Sequence, residues 1–110
     1  MQMEQIIAKY GEEYILRQLA EECAELNQAA LKMIRAQRCE TPMLPLEARD
    51  HFIEELADVY VMLKAARRLL SPGEEMKLLS QRRSKERRMY ERMLDSHGDT
   101  HRPRYEVNEK

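Results

Sequence analysis

Two short acidic clusters dominate the chain's chemistry, Glu21-Glu22-Cys23-Ala24-Glu25 and Glu54-Glu55-Leu56-Ala57-Asp58. Each contains a pair three residues apart, Glu22 with Glu25 and Glu55 with Asp58, a spacing that places both carboxylates on one face of a helix. Both pairs border apolar positions: Leu19, Cys23 and Leu26 flank the first, and Leu56, Val59 and Met62 the second. The midpoint of Glu22 and Asp58 is position 40, and so is that of Glu25 and Glu55, so a helical hairpin turning there brings all four together. Four crowded carboxylates repel one another and ask for a cation, a proton or bridging bases. An all-oxygen donor set favours Mg²⁺ or Mn²⁺ over zinc or copper. Where 35% of residues are charged, acidic pairs also build ordinary solvated helix faces. Two pairs that both border apolar stripes, symmetric about one connection, favour the metal centre.

Helices must carry these pairs. A short helical stretch is predicted over 4–10, with a bend at Gly11 before a long helix from about Glu12 to Arg38. Ile15, Leu19, Cys23, Leu26, Ala30, Met33 and Ile34 recur there at steps of three and four, which marks one buried face. Pro42 and Pro45 interrupt the pattern, because the residue before a proline is disfavoured in helix. A second helix is predicted from near Leu46 to about Leu70, burying Phe52, Ile53, Leu56, Val59, Tyr60, Leu63 and Ala66. Ser71, Pro72 and Glu74 have the order of a helix start, a capping serine followed by proline at the first turn and glutamate three residues on. The third helix is expected to end near Asp95. Residues 96–110 lack apolar periodicity and are expected to form a flexible C-terminal tail, leaving one domain over 1–95.

Composition sets the outer limits. The chain has 110 residues, 43% of them hydrophobic, with 3 Gly, 4 Pro and no Trp, which is the make-up of amphipathic helices. Nineteen basic and 20 acidic side chains nearly cancel, so whole-chain attraction to nucleic acid or membrane is not indicated. Cys23 and Cys39 show neither zinc-ligand spacing nor a disulfide framework, and free thiols in a reducing compartment are expected. No apolar run approaches the roughly 20 residues that cross a bilayer, and the first residues lack the order of a signal peptide. A cytoplasmic chain with no membrane partner is the expectation. A core of this size is modest, so homo-oligomerisation is a natural way to bury more surface.

With the acidic pairs in view, EECAEL at 21–26 and EELADV at 54–59 resemble the EExxE and ExxD halves of the all-α, MazG-like NTP pyrophosphohydrolases. This group includes dimeric dUTPases and dCTP pyrophosphatases, and the likeness spans roughly residues 4–95. The resemblance implies an antiparallel helical bundle completed as a homodimer or homotetramer. It implies a Mg²⁺-dependent enzyme, with Mn²⁺ as a possible substitute, that converts an NTP or dNTP to the monophosphate and pyrophosphate. It makes Glu22, Glu25, Glu55 and Asp58 the metal ligands and catalytic residues. Glu21 and Glu54 then occupy leading positions suited either to ligation or to support behind the ligands.

The third helix contains Lys85, Arg88 and Arg92 on one face, a set able to grip a triphosphate and similar to a K-x-x-R-x-x-x-R pattern in MazG-like proteins. The same stretch also reads as a solvated helix with i,i+4 pairs such as Arg87 with Glu91. Lys32, which follows the first acidic cluster as in many MazG-like relatives, is a further substrate-binding candidate. Those relatives often stack the base on an N-terminal tryptophan. Here Tyr10, Tyr14 and Tyr60 are the available substitutes, each also suited to a core or interface position. His51, His97 and His101 lack ligand spacing and are expected on the surface. Two other readings remain: a house-cleaning phosphohydrolase of dUTPase or dCTPase type with narrow specificity, and a non-catalytic module that binds nucleic acid or protein through the basic third helix. Seven basic against three acidic residues from Met76 to Asp95 support the module, which leaves the carboxylates unexplained.

Overall fold

The computed structural model describes residues 2–98, with side chains over 2–95. Three helices account for the fold, α1 Met3–Gln37, α2 Pro45–Arg67 and α3 Pro72–Gly98, and there is no strand among the described residues. The all-α class read from composition is therefore what the chain adopts. It divides into two compact units, Met1–Leu70 containing α1 and α2, and Ser71–Lys110 containing α3.

The first unit is an antiparallel hairpin. Glu25 meets Glu55, and Glu4 pairs with Arg68, so contacts fall in α2 as they rise in α1. Among the described residues, four of the six buried apolar residues are alanines, Ala29 and Ala36 on α1 and Ala48 and Ala65 on α2, accompanied by Ile15 and Val59. Small side chains allow the backbones to approach closely, but they contribute little burial, about 0.8 kcal/mol per buried methylene-sized group.

The least exposed positions follow a heptad row on each helix. On α1 the row is Ile15, Leu19, Glu22, Leu26, Ala29, Met33 and Ala36; on α2 it is Ala48, Phe52, Glu55, Val59 and Met62, after which burial shifts by one position to Ala65. This seam is narrower than the predicted stripes. Cys23 and Ile34 are exposed, as are Ile53, Tyr60 and Leu63, because they lie on a second apolar row turned away from the hairpin partner.

Helix ends account for the connections. Gly11 interrupts α1 with φ 88° and ψ 170°, a conformation that almost only glycine adopts, which produces the predicted bend. The Glu4–Arg68 ion pair ties the segment before the bend to the end of α2. The first connection begins three residues before Pro42: Cys39 takes φ 59°, its N–H donates to the Ala36 carbonyl, and the Glu40 N–H donates to Arg35 at 2.8 Å. These two bonds form the left-handed cap that satisfies the last helical carbonyls. α2 ends at Arg67, short of the expected Leu70, because residues 68–70 tighten into i→i−3 bonds. At α3 the Ser71 N–H donates to Glu74 Oε1 at 2.9 Å and the Glu74 N–H donates to Ser71 Oγ at 3.2 Å, the predicted capping box. α3 continues through Gly98, three residues past the helix end expected near Asp95; the rest of the expected tail lies outside the described residues.

Candidate metal centre

Glu22 and Glu55 stand inside the hairpin seam and do not merely flank it. Glu22 takes the place between Leu19 and Leu26, and Glu55 that between Phe52 and Val59, where the heptad pattern calls for apolar side chains. The antiparallel pairing sets the two positions against each other. Carboxylate oxygens of Glu22, Glu25 and Glu55 all lie within 4.8 Å of one another. Glu55 has a side chain only 12% exposed, and the Oε1 atoms of Glu22 and Glu55 are both buried without a hydrogen-bond partner.

The electrostatics follow from this crowding. Withdrawal from water pushes Glu22 above the usual carboxylate range, and the charges of Glu25, Asp58, Glu55 and Glu21 push it further. Glu55 is raised by the same withdrawal, by a hydrogen bond with Glu25 in which one carboxyl donates its proton, and by the charge of Glu25. His51 opposes that rise, and Asp58 adds to it. The group therefore holds either protons or a cation.

The remaining predicted residues divide by position. Asp58 is exposed and stands outside the 4.8 Å group, though near enough to act on both Glu22 and Glu55. Glu21 is exposed on the outer side of α1 and acts on Glu22 through its charge. Glu54 is also exposed, and its carboxylate groups with His51 and Glu55, not with Glu22 and Glu25. His51, expected on the surface, is half-buried, with Nδ1 3.9 Å from both Glu54 and Glu55. Its spacing of three and four residues before that pair was the available signal.

Lys32 is half-buried on α1, seven residues and so about 10 Å along the helix from Glu25. In the second unit Lys85, Arg88 and Arg92 are exposed on one face of α3, where Arg82 and Glu86 make an i,i+4 ion pair at 3.8 Å. Tyr10 and Tyr14 are exposed rather than core, with ring centroids 4.8 Å apart beside the bend, and Tyr60 is exposed too. His97 and His101 lie outside the described side chains. Among the described residues no helix is long and apolar enough to cross a membrane.

Oxygen donors at these separations fit a hard divalent cation, which would satisfy both orphaned oxygens and relieve the repulsion. In comparisons with known proteins, no family model matches the chain, and no curated protein or solved structure matches it.

Proposed function

We propose that the chain is a Mg²⁺-dependent nucleoside triphosphate pyrophosphohydrolase, releasing a nucleoside monophosphate and pyrophosphate. One observation carries the reading: two carboxylates with buried, unpartnered oxygens meet inside an otherwise apolar seam. The resemblance of EECAEL and EELADV to the MazG-like halves supplies the substrate class. Mn²⁺ is the natural substitute ion.

Glu22, Glu25 and Glu55 are assigned to hold the cation. Asp58, exposed beside them, completes the shell or accepts the proton of the attacking water. A divalent ion bound there would polarise phosphate oxygens and lower the pKa of that water. Lys32 lies on the same helix and offers its ammonium to the phosphate chain. The spacing of Lys85, Arg88 and Arg92 along α3, with its guanidinium pair, by itself suits a phosphate-bearing ligand. Tyr10 and Tyr14 present an exposed aromatic surface on which a base can stack.

The same reading makes the hairpin part of a homodimer or homotetramer. Its buried core is mostly alanine, while Leu16, Ile34, Ile53, Tyr60, Val61 and Leu63 each leave nearly half or more of their surface exposed. A second copy would cover that row. Free, exposed Cys23 and Cys39 fit a reducing, cytoplasmic setting.

The test is pyrophosphate release from a panel of NTPs and dNTPs, with and without Mg²⁺, using Glu22→Gln as control. Metal-dependent release that vanishes in the variant is the expected result, and a single strong preference would mark a house-cleaning enzyme of narrow specificity. Asp58→Asn should lose turnover with helicity unchanged. No turnover of any nucleotide, together with salt-sensitive nucleic-acid retention that needs no metal, would replace this reading with the binding module.

A further inference from the structure

The hairpin has a second group of close donor atoms, and α2 builds it alone. His51 Nδ1 stands 3.9 Å from Glu54 Oε1 and 3.9 Å from Glu55 Oε2, and donor atoms of these three residues lie within 4.8 Å of one another. A separation of 3.9 Å is too long for a hydrogen bond. It fits two ligands of one ion, since donors about 2.1–2.2 Å from a metal lie roughly 3–4.4 Å apart according to the angle between them.

Glu55 belongs to both groups, and its two oxygens are divided between different surroundings. Oε2 faces His51, whereas Oε1 is buried with no partner in a side chain only 12% exposed. A carboxylate so divided can bridge two ions, and two-metal centres that act on phosphates space their ions about 3.5–4 Å apart. His51 is 37% exposed and Glu54 79% exposed, so the second position opens toward solvent, with room for water or an anionic oxygen in its remaining shell.

We propose that His51, Glu54 and the outer oxygen of Glu55 form a second divalent-cation position beside the carboxylate one, with Glu55 bridging the two. An imidazole nitrogen shifts preference toward transition ions, so this position takes Mn²⁺ ahead of Mg²⁺. The inference rests on the carboxylate trio being a cation centre. It adds nitrogen ligation, a second ion and a role for Glu54.

The experiment is a Mn²⁺ titration of the full chain, following free Mn²⁺ by electron paramagnetic resonance, with pulsed measurements reading nitrogen coupling on bound ions. Wild type, His51→Gln and Glu22→Gln are compared, and Mg²⁺ is titrated separately by calorimetry. Two Mn²⁺ per chain, with nitrogen coupling, are expected in the wild type, against one Mg²⁺. His51→Gln should keep one Mn²⁺, lose the coupling and weaken the second ion by an order of magnitude or more. The coupling is read in the unaltered protein, so a folding defect in the variant cannot mimic its absence. Wild type without nitrogen coupling, or coupling that survives His51→Gln, overturns the inference; the carboxylate centre then stands if Glu22→Gln loses the remaining ion. Wild type that retains no Mn²⁺ overturns both readings.

Discussion

Replacing Glu55 with leucine should stabilise the metal-free hairpin and remove its response to divalent ions. The position lies in the seam between Phe52 and Val59, and the native side chain is only 12% exposed. A leucine there would bury nearly its whole surface, continue the apolar row and remove one member of the carboxylate trio. For a domain of this size, that burial corresponds to a rise in the unfolding midpoint of roughly 5–15 °C. The wild type carries the opposite dependence: at a divalent-ion concentration about 100 times the dissociation constant, it should gain roughly 10–20 °C over its value in chelator. The assay is thermal unfolding followed by helical circular dichroism, at matched chain concentration, in EDTA and in excess Mg²⁺ or Mn²⁺. Glu55→Leu should melt above the wild type in EDTA and be unmoved by the ion. A variant that melts below the wild type in EDTA would show that the carboxylate is held by favourable contacts within the chain, and the argument from orphaned oxygens would fail. A variant still stabilised by metal would place the ion elsewhere.

Other consequences concern titration and backbone. Glu22 and Glu55 are both raised from their ordinary value of 4.5, so the folded metal-free chain binds their protons more tightly than the unfolded one. Their contribution is full below about pH 4.5 and is lost as pH rises through the raised values. In EDTA the wild type should therefore lose stability relative to a Glu22→Gln, Glu55→Gln double variant as pH rises toward neutrality, and Mg²⁺ should offset that loss; parallel pH profiles would refute the assignment. Gly11→Ala meets nothing within 4 Å, so its cost is purely that of φ 88°, about 1–3 kcal/mol in urea unfolding. Cys39→Gly should gain about 0.5–1 kcal/mol by relieving the left-handed conformation at φ 59°, and a loss would mean that its thiol contributes to the cap.

The parts of this fold legible in the sequence are those set by local chemistry. Ser71, Pro72 and Glu74 specify the start of α3 through bonds between near neighbours, and Gly11 marks the bend because few other residues tolerate it. The symmetry of the acidic pairs about position 40 anticipates the meeting of Glu22, Glu25 and Glu55. The choice of buried row was not legible. Each long helix carries two apolar rows, one through Ile15 and Leu26 and another through Leu16 and Ile34 on α1, and periodicity alone cannot say which faces the hairpin partner. The alanines decided it, since close approach of two helices needs small residues at the contact, and a ranking by hydrophobicity undervalues them. Cys39 gave no signal as a cap, because cysteine has no marked preference for the left-handed region. His51 stands three and four residues before Glu54 and Glu55, and helical spacing alone does not separate such an imidazole from an ordinary surface histidine.

A seam that sets glutamates among alanines and larger apolar residues is inconsistent with selection for stability alone. Consistency between local pattern and global packing is what makes a sequence fold well, and departures concentrate where a protein needs something other than stability. Here the departure occurs twice, at Glu22 and Glu55, on two helices whose antiparallel pairing sets the two positions against each other. A solvated acidic surface would leave such side chains exposed, as it does Glu21 and Glu54. A structural buried pair would join opposite charges or complete hydrogen bonds, and Oε1 of neither Glu22 nor Glu55 finds such a partner. Two like charges, both withdrawn from water, are reconciled with a folded hairpin by protons on the carboxylates or, on the reading proposed above, by a cation between them. The close-approaching alanine seam is then the scaffold that keeps the carboxylates near enough to share it.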